Sequence, residues 1–336
     1  MTAATPRQVS VVGGAPAWTA DEMRTDDSWI VEIGDEATAQ LVAAVRAAGA
    51  ADRPFAELRA ADYDMPAWGL LGEGVVADLV EGRGFTVLRG VPVHHFDERE
   101  AEIAHWLIGQ HVGIPIPQNN AGDLVVHVRD QGVRFGQHLV RGYQTNEGLD
   151  FHVDSSDVVA LLCRQAARIG GASAIIASTT IHDRLAVEHP DLLAVLYEPF
   201  WFDRRSGDGP ESFYQSPVFS RRNDRIALRY GRSYIESAGR GATVPELSSE
   251  QIAALDAVDE ILRRDDLVLH MDLEPGDMQF LNNYVILHAR TAYEDWPEAE
   301  RRRDMIRLWI TLAADLDLDP LHASGGITSR KVAFAE

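Results

Sequence analysis

GLDFHVDSSDVVALLC, residues 148–163, decides how the rest of the chain is read. Its second half is apolar and rich in β-branched residues, so it reads as a buried strand. Its first half is polar and carries His152 and Asp154 with one residue between them. Alternate residues of an extended chain point the same way, about 6–7 Å apart, so an imidazole and a carboxylate here can converge on one ion. A polar cluster at the edge of a buried strand is a place where an ion can be both held and reached.

The pair does not identify itself. Chance alone yields about two His-x-Asp or His-x-Glu matches in a chain of this composition. Three occur: His95/Asp97, His152/Asp154 and His270/Asp272. Asp97 stands three residues before Glu100 at the head of DEREAEIAHWLIGQHVG, which is capping-box spacing, and helix capping already explains it. His270 and Asp272 run into the turn EPGD (274–277) and read equally well as structural polars.

A third ligand has to come from a strand remote in sequence. His288, in FLNNYVILHAR (280–290), is the histidine embedded in the late strands with an arginine cluster soon after it, RRRDMIRLWITL (301–312). As a strand, that cluster puts Arg303, Met305, Arg307 and Trp309 on one face. Asp304, Ile306, Leu308 and Ile310 fall on the other, which suits packing against helices. The first face aims two guanidiniums inward, which is costly unless they meet anions. A dicarboxylate would supply a bidentate partner. Two imidazoles and one carboxylate leave three positions open on a metal, an arrangement suited to iron(II) and oxygen chemistry, though zinc is not excluded by ligand type. Asn282 and Asn283 are candidates for orienting His288 from behind, or for a turn.

Elsewhere the pattern is of early helices and then many short strands. DEATAQLVAAVRAAGA from Asp35 and EGVVADLVEGRG, closed by Gly82 and Gly84, read as helices, and GFTVLRGVPV as a strand. Strand-like pieces follow: LVVHVRD, DVVALLCRQA, ASAIIAS, PVFSRR and RIALRYG. LSSEQIAALDAVDEILRRDD interrupts them as a helix, with Ser248 and Gln251 in capping-box register and Ile252, Leu255, Val258 and Leu262 on one face. No repeat or low-complexity linker divides the chain. The expectation is one α+β domain over 1–336, with residues 1–30 a loose leader, a curled antiparallel sheet, and a helical insertion before the late strands.

Composition narrows the partners. Acidic residues outnumber basic ones 52 to 31, a formal charge of −21, which repels phosphate backbones and anionic lipid. Nucleic acid and membrane surfaces are therefore not expected, whereas a local arginine cluster can still attract a small acid. No apolar run is long enough for a membrane span, and the N-terminus lacks a signal-peptide pattern. The single cysteine, Cys163, lies in an apolar strand and reads as an inert buried thiol; a cytoplasmic location is expected.

Taken in order, GFTVLRGV, FHVD with its apolar strand and RIGGAS, PGDMQFLNNYVILHAR, and RRRDMIRLWI resemble the taurine dioxygenase/clavaminate synthase-like family of Fe(II)/2-oxoglutarate-dependent oxygenases. The resemblance spans roughly residues 85–313. It implies a double-stranded β-helix, or jelly roll, with Fe(II) at the mouth held by His152, Asp154 and His288. It further implies that Arg303 grips the far carboxylate of 2-oxoglutarate, helped by Ser173, and that Arg307 and Gln118 meet the primary substrate. Halogenating relatives lack the carboxylate that Asp154 provides, so hydroxylation or desaturation of a small, anionic or amino-acid-like metabolite is expected, with O2 consumed and succinate and CO2 released. The competing readings are a zinc or manganese enzyme on the same barrel, for which Arg303 and Ser173 would have no purpose, and a non-catalytic ligand-binding barrel.

Overall fold

Strand Asp304–Thr311 sorts the layers of the molecule. In the computed structural model, Ile306, Leu308 and Ile310 face a core shared with helices Asp35–Ala50, Pro66–Val80 and Glu98–Gln110. Met305 and Trp309 face the opposite way, into the space between two sheets, and Arg303 and Arg307 line a cavity there. The two faces expected from alternation are the two faces observed. The structure describes residues 9–313, apart from 52, 120, 135–141 and 206–208, together with 316 and 318. Part of the expected leader, residues 1–8, lies outside the described residues; the rest is not loose, since Ala20–Thr25 is a capped helix and Trp18 is buried.

The larger sheet runs Ile30–Glu32, Phe85–Arg89, Met278–Asn282, Val158–Gln165, Asp304–Thr311 and Ile114–Ile116, with Val126–Val128 also paired to Asp304–Thr311. The smaller runs Leu269–Met271, Ser173–Ala177, Ile286–Arg290 and Leu149–His152. Within both, pairing is antiparallel except between Ile30–Glu32 and Phe85–Arg89. Phe85, Val159, Leu281 and Trp309 from the larger sheet meet Ile175, Leu269 and Ile286 from the smaller in one dry cluster. The outer face of the smaller sheet, through Ala174, Ile176 and Leu287, packs on helices Ser178–Glu188, Pro190–Leu196 and Ser249–Ile261. This is the expected α+β jelly roll with helices on both outer faces.

Local readings differ at three places. Helix Ser249–Ile261 carries the expected capping box, but Ile252 is 42% exposed; Ala254, Ala257 and Ile261 complete the buried stripe instead. The helix expected over EGVVADLVEGRG starts earlier, at Pro66, whose fixed φ suits a first helical turn. Helices Ser178–Glu188 and Pro190–Leu196 have no counterpart in the expectation. Their Ser-Thr-Thr opening has low helix propensity, and Pro190 divides one apolar run into two short helices. Among the described residues, no helix is long and apolar enough to cross a membrane.

Candidate metal centre

His152 closes strand Leu149–His152 and sits directly opposite His288 of strand Ile286–Arg290. Their rings lie 4.4 Å apart, inclined at 50°. Asp154, two residues on, brings Oδ2 to 4.0 Å from His288 Nε2. Ligand atoms of all three lie within 4.8 Å of one another. Cross-strand pairing thus joins residues 136 positions apart, and the loop that leaves the strand after His152 adds the carboxylate.

The loop that carries Asp154 is fixed from several sides. Val153 N donates to the Tyr230 carbonyl at 3.1 Å, and Asp154 N to Asn283 Oδ1 at 3.0 Å. Asn283 Nδ2 in turn donates to the Ser156 carbonyl at 3.0 Å. Asp154 Oδ2 accepts from Trp309 Nε1 at 3.0 Å and from Arg307 at 3.3 Å. His152 Nδ1 donates to the Asp150 carbonyl at 2.8 Å, which leaves its Nε2 lone pair free to ligate.

Charge states suit a metal. Burial alone would raise the Asp154 pKa, but Arg307, then the two imidazoles and the Trp309 hydrogen bond, more than reverse this and bring it to about 2. Burial pushes His288 down to about 3, with His152 and Arg307 adding to the effect and Asp154 opposing it. At neutral pH the cluster therefore offers an ionised carboxylate and a neutral imidazole at His288, the forms that bind a cation. Two nitrogens and one oxygen suit a divalent transition metal with open positions.

Two cavities meet at this cluster, sharing His152, Asp154 and Arg307. The inner one is closed by Arg303, which is only 7% exposed, beside Ser173, Arg290 and Met305. Arg303 donates to the Val128 carbonyl at 3.3 Å and lies 5.0 Å from the centre of the Tyr293 ring. It pairs with no carboxylate among the described residues, and burial lowers its pKa. The Gly170–Gly171 pair makes room: at Gly171 (φ +78°) a Cβ would stand 3.1 Å from Arg303 Nε. Ser173 Oγ is hydrogen-bonded to Gln279. The outer cavity holds about 330 Å³ and is lined by Arg204, Arg229, Tyr214 and Tyr234 among others.

Several expected roles shift. Gln118 is 2% exposed, donates to the Leu124 and Arg307 carbonyls, and accepts from Arg307 Nε at 2.7 Å. It braces Arg307 and also lines the outer cavity. Arg307 in turn bonds Asp154, so its first contact is with a candidate ligand. Neither asparagine orients His288: Asn283 fixes the Asp154 backbone, while Asn282 bonds the Leu79 carbonyl and Tyr284 N. His288 Nδ1 is buried with no hydrogen-bond partner among the described residues. Asp97 caps a helix, as expected, and His270 is exposed on its strand. Residues not anticipated are Trp309 at Asp154, and Arg290, whose NH2 donates to the Thr145 carbonyl at 2.9 Å and to the Glu147 carbonyl. Trp309 shares the inward face with Arg307, so alternation already contained that signal.

Known proteins resemble this chain in sequence and in fold. The family model for taurine catabolism dioxygenase TauD, TfdA family, matches residues 51–309. The chain is 30% identical over 306 residues to FR-33289 synthase of Streptomyces rubellomurinus, covering 90% of each. It is 28% identical over 302 residues to a taurine hydroxylase-like protein of Stachybotrys chartarum, covering 87% of this chain and 77% of that one. Among solved structures it is similar in fold to the non-heme iron oxygenase OrfP in complex with Fe and alpha-ketoglutaric acid, with TM-score 0.62, 16% identity, and 84% and 94% of the two chains covered. It is similar too to asparagine oxygenase in complex with Fe(II), 3-hydroxyasparagine and succinate, with TM-score 0.63, 18% identity, and 84% and 93% covered. On the extent of the family match, the chain belongs to the taurine catabolism dioxygenase TauD, TfdA family and is a 2-oxoglutarate-dependent dioxygenase.

Proposed function

We propose that this protein oxidises a small metabolite, replacing or removing hydrogen at one carbon, with iron(II) held by His152, Asp154 and His288 and 2-oxoglutarate seated in the inner cavity. The observation that carries this reading is the meeting of two cavities at one His-Asp-His cluster, with a guanidinium that has no carboxylate partner among the described residues closing the inner one. Structures similar in fold, one in complex with iron and alpha-ketoglutaric acid and one with Fe(II), a hydroxylated amino acid and succinate, support it. When bound, iron(II) and 2-oxoglutarate supply the oxidising power: O2 is consumed, the keto acid is released as succinate and CO2, and the substrate loses hydrogen.

The chain's own residues hold and exclude. Arg303 is the partner for the distal carboxylate of 2-oxoglutarate, with Ser173 on the neighbouring wall. Trp309 and Arg307 keep Asp154 ionised and aimed inward. Leu161, Met305 and Val159 make the inner wall apolar, which limits water beside the metal and strengthens every charged contact there.

The test is succinate release from 2-oxoglutarate by iron-loaded protein, with and without candidate substrates. Arg303→Gln should raise the 2-oxoglutarate concentration needed for half-maximal release about tenfold or more, as for the loss of a bidentate charged contact. An unchanged requirement would remove Arg303 from this role.

A further inference from the structure

Gln279 is an amide set among apolar side chains. In strand Met278–Asn282, Met278 and Phe280 face the helices, while Leu281 faces the space between the sheets. By alternation Gln279 shares the face of Leu281. Its cross-strand neighbours on either side are Val87 and Leu161. The residue is fully buried, and an amide there is costly unless its polar atoms are matched.

The partners come from the opposite sheet. Ser173 and Met271 stand directly opposite each other on strands Ser173–Ala177 and Leu269–Met271. Gln279 Nε2 lies 3.1 Å from Ser173 Oγ and 3.0 Å from Met271 Sδ. Gln279 Oε1 lies 3.2 Å from the same Ser173 Oγ. A thioether sulfur carries no hydrogen, so the amide end beside it must be the donor. The NH2 group has two hydrogens, and one for the sulfur and one for the hydroxyl accounts for both. Ser173 Oγ therefore accepts from Gln279, and its own hydrogen remains to be given.

Two acceptors compete for that hydrogen. One is Gln279 Oε1, but a hydroxyl that exchanges both bonds with a single amide bends at least one of them. The other is a group in the inner cavity, which Ser173 lines together with Arg303. A carboxylate oxygen is a stronger acceptor than a neutral amide. A hydroxyl that already accepts one hydrogen bond is also the better donor. The amide thus fixes where the hydroxyl oxygen sits and primes it to give its hydrogen to an anion.

We propose that Gln279 is a positioning residue, which holds the Ser173 hydroxyl as a donor for the distal carboxylate of 2-oxoglutarate. The inference rests on the reading of the inner cavity as the co-substrate's seat. Gln279 acts on that carboxylate only through Ser173, so its contribution can be isolated.

The experiment is an anaerobic optical titration of iron(II)-loaded, full-length protein with 2-oxoglutarate, following the visible charge-transfer band. Wild type, Gln279→Leu, Ser173→Ala and the double variant form one cycle. Ser173→Ala weakens 2-oxoglutarate binding about tenfold, the loss expected of a hydrogen bond to a charged group. Gln279→Leu weakens it about threefold or more, because the hydroxyl remains but is no longer held. The double variant binds as Ser173→Ala does, since the amide has nothing left to orient. Iron(II) affinity without 2-oxoglutarate is the same in all four. Gln279→Met, which keeps the length and loses the donor, replaces Gln279→Leu if that variant fails to fold. Wild-type 2-oxoglutarate affinity in the Gln279 variant would overturn the proposal, as would additive losses in the double variant or a parallel fall in iron(II) affinity. Those results leave the seat in place. Absence of the band in wild type would instead sink the seat, and the role of Gln279 with it.

Discussion

Two clusters of histidine and carboxylate sit on opposite faces of one strand, Asp304–Thr311, and the same residue types reach opposite charge states in them. On the inward face, His152, Asp154 and His288 gather beside Trp309 and Arg307. On the outward face, His127 lies between Asp304 at 2.7 Å and Glu102 at 3.1 Å, with Glu98 close by. Burial alone would push His127 down, but hydrogen bonds to Asp304 and Glu102 carry it up to about 9. His288, which has one carboxylate near it and an imidazole and a guanidinium against it, goes down to about 3.

The difference teaches what separates a ligand set from an ion pair. An imidazole between two carboxylates keeps its proton and spends both nitrogens on salt bridges. An imidazole facing another imidazole, with the shared carboxylate already claimed by Arg307, stays neutral and keeps a lone pair to offer. The outward carboxylates are also taken up by arginines, Arg164 on Asp304 and Arg129 on Glu98. Proximity of histidine and acid is common to both clusters, and only the local charge count distinguishes them.

The comparison can be broken most forcefully at the ligands. His288→Ala or Asp154→Ala is expected to weaken iron(II) binding by well over a hundredfold, beyond the roughly 10- to 100-fold typical of losing an outer partner. His127→Gln is expected to leave iron(II) affinity unchanged. Equal losses in all three, measured by anaerobic metal titration, would erase the distinction. A smaller effect follows from Trp309→Phe, which removes the 3.0 Å hydrogen bond to Asp154 and should cost about 10- to 100-fold in metal affinity.

How much of this was legible in the chain depends on range. The inward and outward faces of residues 303–310 follow from alternation alone, and the cavity wall with Arg303, Met305, Arg307 and Trp309 follows with them. His152 and Asp154 are two positions apart, so their convergence is a local property of an extended chain. The direct pairing of His288 with His152 is a register fact, and no local signal sets it; family resemblance supplied that link. Of the two readings open for Asn282 and Asn283, support of His288 or a turn, the turn is the one seen: they stand where strand Met278–Asn282 turns into Ile286–Arg290, one side chain toward Leu79 and one toward the Asp154 loop. Arg204 and Arg229 were invisible as a pair because they meet on Tyr214, in a hairpin of Pro199–Asp203 with Phe213–Pro217 for which no strand was expected. Helices Ser178–Glu188 and Pro190–Leu196 were hidden by weak propensity that tertiary packing overrides.

Two lesser tests sharpen the outward cluster. His127→Gln should lower unfolding stability by about 1–3 kcal/mol, because it leaves part of the buried Asp304 charge without its partner. Urea denaturation at neutral pH measures it, and no change would mean that Arg164 alone suffices. The pH dependence has a definite sign. The folded pKa of His127 lies above its ordinary 6.5, so its contribution is fully present below that value and is lost as pH rises through about 9. Wild type should therefore lose stability across that window relative to His127→Gln, and parallel curves would remove the ion pair from the account.

The most direct measurement is the anomalous difference map at the iron edge from crystals grown or soaked anaerobically with iron(II). One peak is predicted, within bonding distance of Nε2 of His152, Nε2 of His288 and a carboxylate oxygen of Asp154. A peak instead among Glu98, His127 and Asp304, or none near the first three, would contradict it.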